Sequence, residues 1–160
     1  MEVAFYHLTK VRADQALPLL LERTLAKGWR AVVQAKTETR VGQLNQDLWA
    51  YRPESFLPHG VKSDPDLASL PIYLTTASDN PNAADVRFFI DGVEMESVIK
   101  SGAAPKERAI LLFDGVNHEV FTAARNHWRV LNEAGYALVY YQQSEQGHRL
   151  EKHRSAASGS

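Results

Sequence analysis

Arg108-Ala109-Ile110-Leu111-Leu112-Phe113-Asp114-Gly115, then a helical stretch, then Tyr136-Ala137-Leu138-Val139-Tyr140-Tyr141: this run decides the fold class. Both flanking pieces are near-continuous apolar runs of strand length. A strand covered on both faces reads that way, whereas a half-exposed strand alternates apolar with polar. Between them Asn117 can cap a helix running to Ala134, and Gly135 supplies a left-handed stop. Strand, helix and strand in that order make the unit of a parallel sheet.

The pattern repeats towards the N-terminus. Val3–Leu8 is an apolar and aromatic strand, and Asp14 caps a helix through Lys27 on Leu17, Leu20, Leu21 and Leu25, which Gly28 ends. Trp29–Ala35 returns as a strand. Thr37 or Thr39 starts a second helix with Val41, Leu44 and Leu48 on one face. Val61–Leu70 and Ala77–Ala84 read as loops, Pro71–Thr76 and Val86–Ile90 as strands, and Val93–Lys100 as a short helix. The expectation is one α/β domain over 1–145, with a mostly parallel sheet and helices on both faces. Residues 146–160 are polar, ending in Ser-Ala-Ala-Ser-Gly-Ser, and are expected to form a helix remnant or a disordered tail.

Composition narrows the function. The chain has 160 residues, 44% hydrophobic and 23% charged, which suits one globular domain. Net charge is -1, so no global field holds a nucleic-acid backbone, and any anionic ligand must use a local patch. With no cysteine, disulfides, thiolate metal sites and a cysteine nucleophile are excluded together. The first residues lack the pattern of a signal peptide and no segment is apolar enough to span a bilayer, so a cytoplasmic location away from membranes is expected.

Catalytic motifs are scarce. Neither Gly-x-x-x-x-Gly-Lys-Ser/Thr nor Gly-x-Gly-x-x-Gly occurs, and no Gly-x-Ser-x-Gly or His-Glu-x-x-His is present. Asp91 and Asp114 end two strands in like sequences, Phe-Ile-Asp-Gly-Val and Leu-Phe-Asp-Gly-Val. In an open α/β sheet that is where ligands gather, and two carboxylates can hold Mg²⁺ for phosphoryl transfer. Asp-Gly is also ordinary turn chemistry. The enzyme reading therefore stands as the alternative, a Mg²⁺-dependent phosphatase-type activity on Asp91 and Asp114. No resident cofactor or metal is expected.

Two regions point to binding instead. On the last helix, Val120, Ala124, His127, Leu131 and Ala134 form one stripe suited to the sheet, at about 100° per residue. A second stripe sets Phe121 and Trp128 beside Arg125 and Arg129. Guanidinium groups grip carboxylates bidentately, and aromatic walls receive an apolar side chain. It also reads as a flank where arginine stems cover rings. The other region is Asp47–Gly60, where Trp49, Tyr51 and Phe56 crowd a stretch stiffened by Pro53 and Pro58. By itself it reads either as a helix end followed by a buried extended segment or as a stiff aromatic binding loop.

Leu48-Trp49-Ala50 followed by Glu54-Ser55-Phe56-Leu57-Pro58-His59 resembles the bacterial DNA polymerase III chi subunit family. The early Phe5-Tyr6 strand, Ala124-Arg125, Trp128-Arg129 and Ala134-Gly135-Tyr136 share in the likeness, which runs from about Val3 to Tyr141. The resemblance implies a Rossmann-like, nucleotide-binding-like fold without nucleotide binding, and a non-catalytic accessory subunit of the clamp-loader assembly. It implies two partners. One is the acidic, phenylalanine-ending C-terminal tail of single-stranded DNA-binding protein, and through it DNA. The other is the psi subunit or an equivalent component. The tail is expected where Trp49, Phe121, Arg125, Trp128 and Arg129 meet, and Phe56, Pro58 and His59 are expected to be structural or to serve a second interface. Many relatives carry a lysine where this chain has Phe121, which removes one cation from the site.

Overall fold

The computed structural model describes residues 1–51, 57–115 and 118–156. Its strands are β1 (Glu2–Leu8), β2 (Ala31–Gln34), β3 (His59–Gly60), β4 (Ile72–Thr75), β5 (Val86–Phe89), β6 (Arg108–Asp114), β7 (Ala137–Gln143) and β8 (Arg149–Ser155). Its helices are α1 (Ala13–Ala26), α2 (Glu38–Trp49), α3 (Glu96–Ile99) and α4 (His118–Glu133). The strands form one sheet in the order β3-β4-β2-β5-β6-β1-β7-β8. Every pairing is parallel except β7 with β8. A mixed α/β fold with a mostly parallel sheet is therefore what the alternating pattern produces.

Strand alternation sorts the core into two layers. In β6, Ile110 and Leu112 face α1 and α2 with Leu17, Leu21, Val41, Leu44 and Leu48. Ala109, Leu111 and Phe113 face the other way, onto Val98 and Ile99 of α3 and Ala124 and Leu131 of α4. Successive side chains of a strand point to opposite faces, so a strand lined on both sides must be apolar throughout. This is why β6 has no polar alternation, and why it lies inside the sheet.

Two sequence expectations need correction. Asp14 does not cap α1: the cap is Arg12, and Asp14 lies in the first turn, paired with Arg12 (3.3 Å) and Arg40 (3.2 Å). The amides at that helix start are met by other side chains, Ala13 N donating to Asp114 Oδ2 (2.6 Å) and Arg12 N to Gln15 Oε1 (2.9 Å). Thr37, one of the two candidates, does cap α2, accepting from Arg40 N (3.1 Å). The expected cap of α4, Asn117, lies outside the described residues. Most consequential is the polar C-terminal stretch. Arg149–Ser155 is neither helix remnant nor disordered tail but the antiparallel outer strand β8, registered from Leu138↔Ser155 to Gln143↔Arg149. Almost wholly exposed, it is held by backbone hydrogen bonds that leave no hydrophobic pattern to read.

One polar cluster lies inside the sheet. Arg87 of β5 is 1% exposed, and its guanidinium donates to Gln34 Oε1 (from Nε at 3.2 Å and Nη2 at 2.7 Å), Asp79 O (2.6 Å) and Ala77 O (2.8 Å). Burial pulls its pKa down to about 10, opposed by Asp79, which leaves it charged at neutral pH. Asp79 in turn accepts from Tyr73 Oη (2.8 Å) and Thr75 Oγ1 (3.0 Å). A buried charge is tolerated only when paired and hydrogen-bonded, and here it ties the loop after β4 to the sheet.

Candidate functional site

α4 crosses the sheet with Ala124 and Leu131 buried beneath it. The rings flanking that stripe turn inward over β1. Trp128 stands edge-on to Phe5 with centroids 5.3 Å apart, and Phe121 edge-on to His7 at 4.9 Å. His7 is itself fixed, stacked on Phe113 at 4.8 Å and with Nε2 2.9 Å from Gly115 O. Edge-to-face rings at these separations fix one another's orientation. Beyond Trp128 lies His153 of β8, its ring 5.4 Å from the indole.

These rings enclose a cavity of about 550 Å³ lined by Phe5, Phe121, Ala124, Arg125, Trp128, Tyr140 and His153. Burial raises the pKa of the Tyr140 hydroxyl, and Arg125 pulls against that rise, so the guanidinium stands near the phenol. Among the described residues, no carboxylate lines the cavity. An aromatic wall with an arginine beside it and no internal anion receives an apolar group bearing negative charge. Arg129 is exposed on α4, pairs with Glu133 (3.5 Å), and does not line the cavity.

Of the five residues expected together, Phe121, Arg125 and Trp128 converge and Trp49 does not. Trp49 ends α2, which packs on the α1 side of the sheet, while α4 packs on the other. Its ring lies 4.2 Å from that of His59 in β3, five strand spacings from β1, or about 24 Å. The sheet separates them because α2 leads outward to β3 and β4, whereas α4 returns to β7. Trp49 is 58% exposed and takes no part in the core. His59 is buried, with Nδ1 2.6 Å from Leu57 O and Nε2 3.1 Å from Asn45 O, and Pro58 is half-buried beside it. Phe56 lies outside the described residues.

Sequence reasoning missed Phe5, Tyr140 and His153 as lining residues. Phe5 and Tyr140 follow from strand alternation once α4 is known to cover β1 and β7. Nothing in the sequence marks His153, because its strand was unread.

Asp91 and Asp114 line a second cavity, of about 540 Å³, at the carboxyl ends of β5 and β6. Both are engaged. Asp114 accepts from the first amide of α1, and Asp91 pairs with Arg40 (3.1 Å). Asp91 and Gly92 have φ of 60° and 70°, and Gly115 has 97°, so turn geometry accounts for the Asp-Gly at both places. Among the described residues, no group of three or more His, Cys, Asp or Glu is placed to hold a metal ion. Nor is any described helix long and apolar enough to cross a membrane.

Comparison with known proteins gives two findings. The family model described as DNA polymerase III chi subunit, HolC, matches residues 1–139. A curated relative, the "Probable DNA polymerase III subunit chi" of Rickettsia prowazekii (strain Madrid E), is 29% identical over 99 residues. That alignment covers 62% of this chain and 60% of the relative's length.

Proposed function

Because the chain belongs to the DNA polymerase III chi subunit family, we propose that it is a non-catalytic accessory subunit of the clamp-loader assembly in DNA replication. In this reading it binds the acidic, phenylalanine-ending C-terminal tail of single-stranded DNA-binding protein. The observation that carries the proposal is the cavity between α4 and the sheet. Phe5, Phe121, Trp128 and Tyr140 provide walls for the terminal ring, and Arg125 meets the terminal carboxylate. Arg129, one turn along, adds charge for the tail's aspartates. With Phe121 where many relatives have a lysine, the site gains a wall and leans more on Arg125 for its charge.

The same proposal reads the fold as Rossmann-like and assigns a second partner, the psi subunit or an equivalent, to the distant edge where Trp49, Pro58 and His59 gather. Trp49 is exposed there, and tryptophan is enriched at binding hot spots. The two partners would then approach opposite sides of the molecule.

The decisive experiment is calorimetric titration with an acidic peptide ending in Phe. Binding is expected to weaken as salt rises, because part of it is exposed charge. Arg125→Ala and Trp128→Ala are each expected to weaken it at least about tenfold, the scale of one hot-spot side chain. Circular dichroism must first establish that both variants are folded. Wild-type affinity in both sinks the proposal.

A further inference from the structure

The opposite face of the sheet carries a second surface of different character. There α1 packs on β2 and β6, while Tyr6 of β1 and Tyr141 of β7 stay half-buried with ring centroids 6.3 Å apart. Where α1 ends, a cavity of about 360 Å³ opens, floored by Leu20, Val86, Phe88 and Ile110. Its rim holds Arg23, Lys27, Arg108 and Arg149, and among the described residues no carboxylate lines it. A smaller hollow beside it adds Glu2, but that carboxylate is taken by Arg154 at 3.0 Å.

None of the four cations forms an ion pair with a carboxylate among the described residues. In a chain whose net charge is -1, four unpaired cations around one opening are a strong local segregation. Three of them lie against rings: Lys27 Nζ is 4.8 Å and Arg108 Cζ 5.5 Å from the centroid of Trp29, and Arg149 Cζ is 4.5 Å from that of Tyr141. Burial raises the pKa of Tyr6, with Arg149 and Arg23 opposing it, so these two guanidiniums share one neighbourhood.

From the segregated charge and the interleaved rings, we propose that this face binds single-stranded nucleic acid directly, with Arg23, Lys27, Arg108 and Arg149 on the phosphates and Trp29, Tyr6 and Tyr141 beside the bases. The arrangement favours a strand over an acidic peptide. A terminal carboxylate is best held by donors converging on one point. Here each ring-bound cation lies against an aromatic face, and Arg108 and Arg149 arise from strands three spacings apart, about 14 Å. Cations set apart around one opening, with aromatic rings among them, suit successive phosphates of a backbone with unstacked bases. Paired bases of a duplex would offer no face to those rings. Global charge argues against nucleic-acid binding only while the charge is taken to be uniform. The inference stands apart from the peptide reading, since no residue is shared between the two surfaces.

The test is fluorescence anisotropy of a labelled oligothymidylate of about 15 nucleotides, a length that spans one such site. The full chain is expected to give saturable binding whose log K falls linearly with log salt. Arg108→Ala with Arg149→Ala should lower that slope by about 1.4, the loss of two phosphate contacts at about 0.7 each. Affinity at about 50 mM salt should fall at least tenfold. Binding of the acidic peptide should not change in the same variant. Arg149→Ala alone, at an exposed position of β8, keeps the test open if Arg108→Ala perturbs the fold, with an expected slope loss of about 0.7. Absence of binding, a slope unchanged in these variants, or loss of peptide but not DNA binding overturns the proposal. So does displacement of the oligonucleotide by the peptide.

Discussion

Replacing Arg87 by methionine leaves a shorter, uncharged side chain and removes every hydrogen bond the guanidinium makes. Four donated bonds end on Gln34 Oε1, Asp79 O and Ala77 O, the Gln34 oxygen taking two of them. Exchanging a buried charge for an apolar group can be neutral when its partners are removed as well. Here the acceptors stay. Gln34 is 7% exposed, so its amide oxygen has little access to water in compensation. Removing one partner of such a network costs about 3–5 kcal/mol. For a domain of this size each kcal/mol lowers Tm by about 2–4 °C, so a fall of about 6–20 °C is expected. Arg87→Lys keeps the charge but loses the planar fork that reaches several acceptors at once, and it should fall between. Thermal unfolding followed by far-ultraviolet circular dichroism measures the fall in Tm, and urea unfolding gives the free energy and m-value beside it. If Arg87→Met unfolds within about 2 °C of wild type with an unchanged m-value, the cluster is not holding the loop to the sheet.

Other perturbations test different parts of the molecule. Gly60→Ala places a Cβ 2.8 Å from both Asp64 Oδ2 and Leu70 Cδ1, and Asp64 Oδ2 is already held by Val61 N. A loss of about 1–3 kcal/mol is expected in denaturant titration, and a neutral result would mean that the turn yields freely. The Thr76 hydroxyl, with Lys62 assisting, holds the Glu38 carboxyl below its ordinary range. A depressed folded pKa stabilises above the unfolded pKa and loses that contribution as pH falls through the folded one. Thr76→Val should therefore raise the Glu38 pKa in a carboxyl NMR titration and flatten the acid limb of stability. A chain ended at Gly147 lacks β8, so Trp128 loses its ring neighbour His153 and the cavity loses a wall. Binding of the acidic peptide should weaken severalfold while the remaining sheet stays folded, checked by calorimetry beside circular dichroism. Undiminished affinity would show β8 to be a bystander.

Legibility in the sequence followed the physics of each element. β6 announced itself because burial on both faces demands an unbroken apolar run. α2 did so through Val41, Leu44 and Leu48 and its Thr37 cap. β8 was invisible because it buries almost nothing. Helical periodicity on α4 found Phe121, Arg125 and Trp128. It could not say that the two rings pack inward on Phe5 and His7 while Arg125 stays exposed. Trp49 was misplaced for another reason: composition and likeness say which residues suit a site, but only strand order says which can meet. Phe56, the other ring of that stretch, lies outside the described residues.

The hydrogen bond from Ala13 N to Asp114 has a further meaning. The start of a helix beyond a parallel strand is a ready place for an anion. A ligand bound there stabilises a fold only in proportion to its concentration relative to Kd. A carboxylate on the neighbouring strand of the same chain is never diluted, and no transporter or biosynthetic enzyme governs its supply. By satisfying the start of α1 from within, the chain makes that corner of its fold independent of metabolite levels. The fold would keep its shape there whether the cell is rich or starved.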